Sequence, residues 1–157
     1  MGSRYVGQSR GERFDWYVRT IYGLGWAVAH AEGAGRAAGY SHTVGLTRFH
    51  GHPELLVSGL EPDDAGRLLG ELAASVRAGA WLDAGVMFGA DTGHTLQLAD
   101  VADPQLMADA QLVYASEAGF VPGLQVIWSD QSGNWPWDPS WLGTDQDQPL
   151  FGHPLHL

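Results

Sequence analysis

The feature that most constrains this chain is the changing period of its apolar residues. It is helical over long segments and alternating over short runs between them, with no regular strand–helix–strand rhythm. Phe14, Tyr17, Val18 and Ile21 recur at i, i+3, i+4, i+7 and predict a helix over 12–22, ended by Gly23 and Gly25. Ala65, Leu68, Leu69, Leu72 and Val76 predict the buried face of a second helix over 62–78. Pro62 opens it and Gly79 ends it. Asp103 before Pro104 is a cap followed by a first-turn proline, so a third helix is expected over 104–117, with Gly119 as its stop. The runs 26–30, 40–46, 54–59, 86–88, 94–98 and 124–128 read as strands, and 26–46 as a hairpin with a long glycine-rich tip. Hairpins favour antiparallel pairing. The expected fold is therefore α+β, a mainly antiparallel (mixed) sheet with about three helices packed on one face.

A chain of 157 residues fits one domain, and we expect a single domain over 1–157 with a flexible N-terminal segment over 1–10. That size buries roughly two-thirds of the unfolded surface, so neither a disulfide nor a metal is needed for folding. No cysteine is present, which excludes thiolate metal sites and cysteine nucleophiles. No apolar run approaches the roughly 18 residues of a membrane span. The polar start, with Arg4, Arg10 and Arg13, lacks the apolar core of a secretory signal. The cytoplasm is thus the expected location, and a composition rich in Ala, Gly and Arg with no Lys points to a bacterial source.

Charge is unevenly placed. Residues 1–78 hold eight acids and eight arginines, whereas residues 79–157 hold ten acids and no base, which accounts for the net charge of −10. Phosphate neutralisation, and with it nucleic-acid binding, is not expected. A cationic ligand, a metal ion or a basic partner would be attracted; the preferred reading is that the acids only keep the surface soluble. There is no glycine-rich dinucleotide or phosphate loop, no Gly-x-Ser-x-Gly elbow, no His-Glu-x-x-His and no calcium loop. The residues imply no particular cofactor: the aromatics could stack a flavin ring, but no fingerprint accompanies them.

Two clusters carry candidate chemistry. His50, His52 and Glu54 alternate, so an extended chain would turn all three to one side, where they could hold zinc, iron or manganese. Gly51 and Pro53 argue for a turn instead, which breaks the alternation and favours structural histidines. His42 and His30 lie in the two strands of the hairpin and could be cross-strand neighbours; His94, His153 and His156 have no recognisable spacing. The second cluster runs from Leu124 to Trp141 and holds four of the seven tryptophans. There Trp128, Asp130, Trp137 and Asp138 combine rings that can stack a ligand with carboxylates that can supply charge. Tryptophans covering the core where regular structure stops would look the same.

These residues also carry a resemblance. Gly25-Trp26, Tyr40 to Leu46, His52-Pro-Glu-Leu55, Gly59-Leu60, Leu124 to Trp128 with Asp130, Trp135-Pro-Trp-Asp-Pro139 and Gln148-Pro149 follow one another in an order that resembles the bacterial domain of unknown function family 4262. The resemblance spans 25–149, departs at His42 where a Tyr is expected, and brings no activity with it. It implies recurrent roles for Gly45, His52, Pro53, Glu54, Trp128, Asp130, Pro136, Trp137 and Asp138.

Three functions follow, in order of preference. The first is a small-molecule-binding protein or enzyme. In it the His-Pro-Glu turn and the Trp-rich segment line one pocket, His52 and Glu54 do proton chemistry, and Trp128, Asp130, Trp137, Asp138 and His42 bind the ligand. A carboxylate near His52 would then raise its pKa. The second is a non-catalytic interaction module that docks a basic partner on the acidic C-terminal half. The third is a metal-dependent enzyme using His50, His52 and Glu54. Neither nucleic acid nor membrane is an expected partner, and the residues leave the oligomeric state open.

Overall fold

The computed structural model describes residues 9–85, 87–89, 95–114, 119–144 and 146–154. The order is α1 (Arg10–Leu24), β1 (Ala27–Ala31), β2 (Tyr40–Val44), β3 (Glu54–Ser58), α2 (Pro62–Arg77), β4 (Met87–Gly89), β5 (Thr95–Asp100), α3 (Ala108–Tyr114) and β6 (Gly123–Trp128), with short 3-10 turns at Leu46–Arg48 and Pro104–Leu106. The predicted hairpin over 26–46 is present as β1 and β2, paired antiparallel with Ala29 opposite His42.

Among the described residues one six-stranded sheet runs in the order β1-β2-β3-β6-β5-β4. Each half is an antiparallel three-stranded meander, and the third strands of the two, β3 and β6, pair in parallel with Glu54 opposite Gly123 and Leu56 opposite Gln125. The α+β reading and the mainly antiparallel sheet both hold.

The expectation of helices on one face is corrected. Leu55, Val57, Leu96, Leu98, Leu124 and Val126 point to one side, where they pack on Leu68, Leu69, Leu72 and Val76 of α2. The alternate residue Leu56 faces the other way, into a second cluster with Tyr17 and Ile21 of α1, Ala27 and Ala29 of β1, and Ala110 of α3. Alternating side chains leave both faces of these short strands apolar, so both need cover.

The helices differ in detail from their predicted faces. Ser9 caps α1 by accepting from the Glu12 amide at 3.1 Å, and Gly25 ends it at φ 99°, a conformation glycine adopts readily. Tyr17 and Ile21 are buried, but Phe14 and Val18 stay exposed, because α1 lies over the outermost strand and only a narrow strip of it is covered. In α2 the whole predicted face is buried, and Ala73 joins it. The third helix is shorter than expected. Asp103 caps a 3-10 turn by accepting from the Gln105 amide, Met107 interrupts at φ −90°, ψ 62°, and only then does α3 begin. Residues 115–117 of the predicted helix, Val86 and His94 of predicted strands, His156 and residues 1–8 of the N-terminal segment lie outside the described residues.

The C-terminal tail takes the place of a helix over part of the second face. Gln125 donates to the Pro149 carbonyl at 2.8 Å and accepts from the Phe151 amide at 2.7 Å. Gln148 makes a reciprocal pair with the backbone of Trp128, both bonds 2.9 Å. Among the described residues, no helix is long and apolar enough to cross a membrane.

Candidate functional site

Glu54 opens β3 and is fully buried. Its carboxylate sits in the mouth of the 3-10 turn at Leu46–Arg48. It accepts from the Leu46 amide at 3.1 Å, the Thr47 amide at 2.9 Å and the hydroxyls of Thr47 (2.6 Å) and Thr43 (2.8 Å). The Gly45 amide lies at 3.4 Å. A short turn leaves its first amides without intrachain partners, and a carboxylate placed there satisfies them. Burial raises the Glu54 pKa, against the hydrogen bonds from Thr47, Thr43 and Leu46, which pull it down. With every oxygen engaged, the group holds the β2–β3 connection together.

His52 is likewise fully buried. Its Nδ1 lies 2.7 Å from the Pro53 carbonyl oxygen, which can only accept, and its Nε2 lies 3.0 Å from the Leu82 amide, which can only donate. The two contacts fix a neutral ring protonated at Nδ1. The Trp81 ring meets the imidazole edge-on at 4.7 Å between centroids. Burial holds the His52 pKa below 6.5, outweighing the upward pulls of the Pro53 carbonyl and Asp83, so the expected upward shift is reversed.

The expected His50, His52 and Glu54 metal set is corrected by the same geometry. His50 (φ 58°) and Gly51 (φ 73°) both turn left-handed, which destroys the alternation that would have aligned the three side chains. His50 is exposed while the other two are buried with their ligating atoms already bonded. No group of three or more His, Asp or Glu side chains placed to hold a metal occurs among the described residues.

The Trp-rich segment begins where β6 leaves the sheet. Trp128 donates from its indole to the Ser58 carbonyl at 2.9 Å and meets Trp141 at 5.4 Å between centroids. Trp135 and Trp137 stack at 5.5 Å over Ala99 and Ile127. Asp130 accepts from the amides of Ser132 and Asn134 at 2.9 and 2.8 Å. Burial pushes its pKa up, but the bonds from Asn134, Ser132 and Leu142 prevail and hold it below the usual value. Asp138 accepts from the Trp135 amide at 2.8 Å. These two carboxylates fold their own loop. His42 is buried within β2, donates from Nδ1 to the Thr43 carbonyl at 3.0 Å, and is held below 6.5 by burial.

The two segments expected to share one pocket therefore do not meet. β3 and β6 are parallel, His52 and Glu54 stand at the start of β3, and Trp128 stands at the end of β6, beside Ser58 at the end of β3. A strand length separates them, about 17 Å for five residues.

Trp128 does line a cavity, on the α2 side of the sheet. Leu60, Leu68, Leu96 and the indole form its apolar wall, and Asp64, Arg67, Glu71 and Gln131 stand around its mouth, enclosing about 280 Å³. Arg67 and Asp64 form an exposed ion pair at 3.4 Å. Sequence reasoning missed the α2 contributors, because Asp64, Arg67 and Glu71 read only as the polar face of an amphipathic helix. It also missed Gln125, Gln148 and Ser58, whose only trace in the sequence is polar residues inside apolar strand patterns.

Fold and site together define a class: an α+β domain whose two antiparallel meanders share a parallel central seam, closed by a tryptophan-rich tail. The chain belongs to the family described as a domain of unknown function, DUF4262, whose model matches residues 20–142. That match begins inside α1 and stops before Gln148, so it covers the whole sheet. No curated protein and no solved structure is detectably similar to the chain.

Proposed function

We propose that this is a bacterial cytoplasmic protein that binds a small molecule in the cleft between α2 and Trp128. The supporting observation is the cleft's construction: an apolar wall that includes an indole, with Arg67 and two carboxylates at the mouth. Ligand sites generally combine a largely apolar surface with a few placed polar groups, and about 300–1,000 Å³ is usual, so this one suits a compact ligand. Charges of both signs at the mouth favour a neutral polar or zwitterionic molecule with a flat apolar portion for Trp128. The Trp-rich segment thus contributes Trp128, while Asp130, Asp138 and the His52–Glu54 turn support the fold around it.

A thermal-shift and isothermal-titration screen of small aromatic and zwitterionic compounds tests the reading. The expected result is saturable one-to-one binding that Arg67→Ala weakens about ten-fold, as loss of a charged hydrogen-bonding partner would. Binding that is indifferent to both Arg67→Ala and Trp128→Phe, or no binding across the screen, would overturn it.

A further inference from the structure

The outermost strand, β1, has one neighbour among the described residues, β2, so its other edge forms one boundary of the sheet. Its sequence, Ala-Val-Ala-His-Ala, carries none of the usual guards of a sheet edge: no proline, no lysine, no fixed charge. A cleft of about 480 Å³ runs along this edge. Trp16 and Leu24 of α1 line it from one side, Pro62 and Asp63 of α2 from the other, with Trp26 and Val28 between. Helices on opposite faces of a sheet can line one cleft only beyond the sheet's margin, so the cleft is a slot at the β1 edge. A second cleft, of about 820 Å³, continues past His30 and Pro62 to Glu32 and Glu61.

We propose that the β1 edge is a docking slot for an extended basic segment of a partner protein, which adds to the sheet as a seventh strand. An extended chain is the occupant a strand edge recognises, because main-chain bonds supply affinity and flanking pockets take alternate side chains. The charge of the slot selects the sign. Asp63 lines the first cleft and Glu32 and Glu61 the second, and among the described residues no Arg lines either. Lysine or arginine side chains of the segment meet these carboxylates, and its apolar side chains meet Trp16 and Trp26. A second copy of this chain is the poorer occupant, since each copy brings a net charge of −10. The first cleft, which Asp63 and the β1 edge line, shares no lining residue with the Trp128 cleft, and its test does not depend on that reading.

The probes are a short synthetic peptide alternating lysine with valine or threonine, and its counterpart with glutamate for lysine. Amide exchange and chemical shifts of Ala27–Ala31 are followed by NMR on the full chain. The expected result is that the lysine peptide alone shifts these amides and slows their exchange about ten-fold or more. Asp63→Lys is expected to weaken that peptide at least about five-fold, with only a small fall in melting temperature from the lost first-turn acid of α2. Val28→Pro, at a residue whose amide faces away from β2, is expected to abolish the peptide's binding. Because a proline also restricts the backbone of β1 itself, the charge reversal is the deciding variant. Equal binding of the glutamate peptide, no effect of the lysine peptide on β1, or slowed β1 exchange that grows with protein concentration and no peptide, which indicates self-pairing, would each overturn the proposal.

Discussion

Glu54 takes both hydrogens that Thr47 offers, the amide at 2.9 Å and the hydroxyl at 2.6 Å. The contact closes the loop between β2 and β3 with a buried carboxylate, and it gives Glu54 a structural duty that a catalytic acid would have to abandon. Glu54→Gln would turn an amide NH₂ toward a nest of donors. The expected loss is about 1–3 kcal/mol, the cost of unpaired buried donors. Urea denaturation measures it, and an unchanged midpoint would show that the nest is not holding the loop.

The buried histidines give the protein a defined response to acid. Burial is the main reason that His42 and His52 both have pKa values below 6.5. Between those lowered values and 6.5 the unfolded chain binds protons that the native chain does not. Their contribution to stability is therefore complete above about pH 6.5, lost as pH falls through 6.5, and level again below the folded values. Each can add a slope of at most about 1.4 kcal/mol per pH unit. Glu54, with its raised pKa, acts oppositely: its contribution is complete below 4.5 and is lost as pH rises through its folded value. Comparing the chain with His42→Gln from pH 8 to pH 5 isolates the histidine effect, and the variant is expected to lose less stability on acidification. Parallel curves would count against it.

Tyr17 donates to Asp109 at 2.5 Å, joining α1 to α3 across 92 residues of sequence, and Arg13 adds a longer contact at 3.7 Å to the same carboxylate. Tyr17→Phe keeps the ring and removes the bond. We expect a loss of about 1–3 kcal/mol, as for a hydrogen bond to a charged, partly buried acceptor. Amide exchange in α1 should quicken more than exchange in β6; uniform quickening would place the bond's effect elsewhere.

Gly59 adopts φ 82°, and a Cβ added there would stand 2.1 Å from the Asp147 carbonyl oxygen. The tail must move away in Gly59→Ala. The expected cost is about 2 kcal/mol or more from backbone strain and the lost contact. Faster proteolysis after residue 140 should accompany it, and a tail that resists protease as before would contradict the close approach.

Periodicity was enough to locate the helices at α1 and α2 and the strands near their observed limits, because those elements bury residues at their own intrinsic spacing. It could not reveal strand order. The pairing of β3 with β6 links residues about seventy positions apart, and no local pattern encodes that. The third helix was overextended because a cap and a proline mark where a helix can start, whereas Met107 is drawn into the core and resets the chain. The site was less legible still. His50, His52 and Glu54 have ligand-like spacing only if the chain is extended, and His50 and Gly51 turn it at φ 58° and 73°. Trp128 was recognisable as a ring that could stack a ligand or cover the core; its partners on α2 were hidden among ordinary surface charges.

The parallel seam between β3 and β6 also orders the folding of the chain. The first meander and the β4–β5 pair are joined by short connections and can form early, since short loops close cheaply, and β6 joins β5 across the longer connection that holds α3. The seam joins Leu55 to Leu124, with α2, β4, β5 and α3 lying between them. Its closure carries the largest loop entropy in the sheet and belongs late in the sequence of events. Until then two apolar strand edges face water, and the newly made chain is at its most vulnerable to pairing with the wrong neighbour.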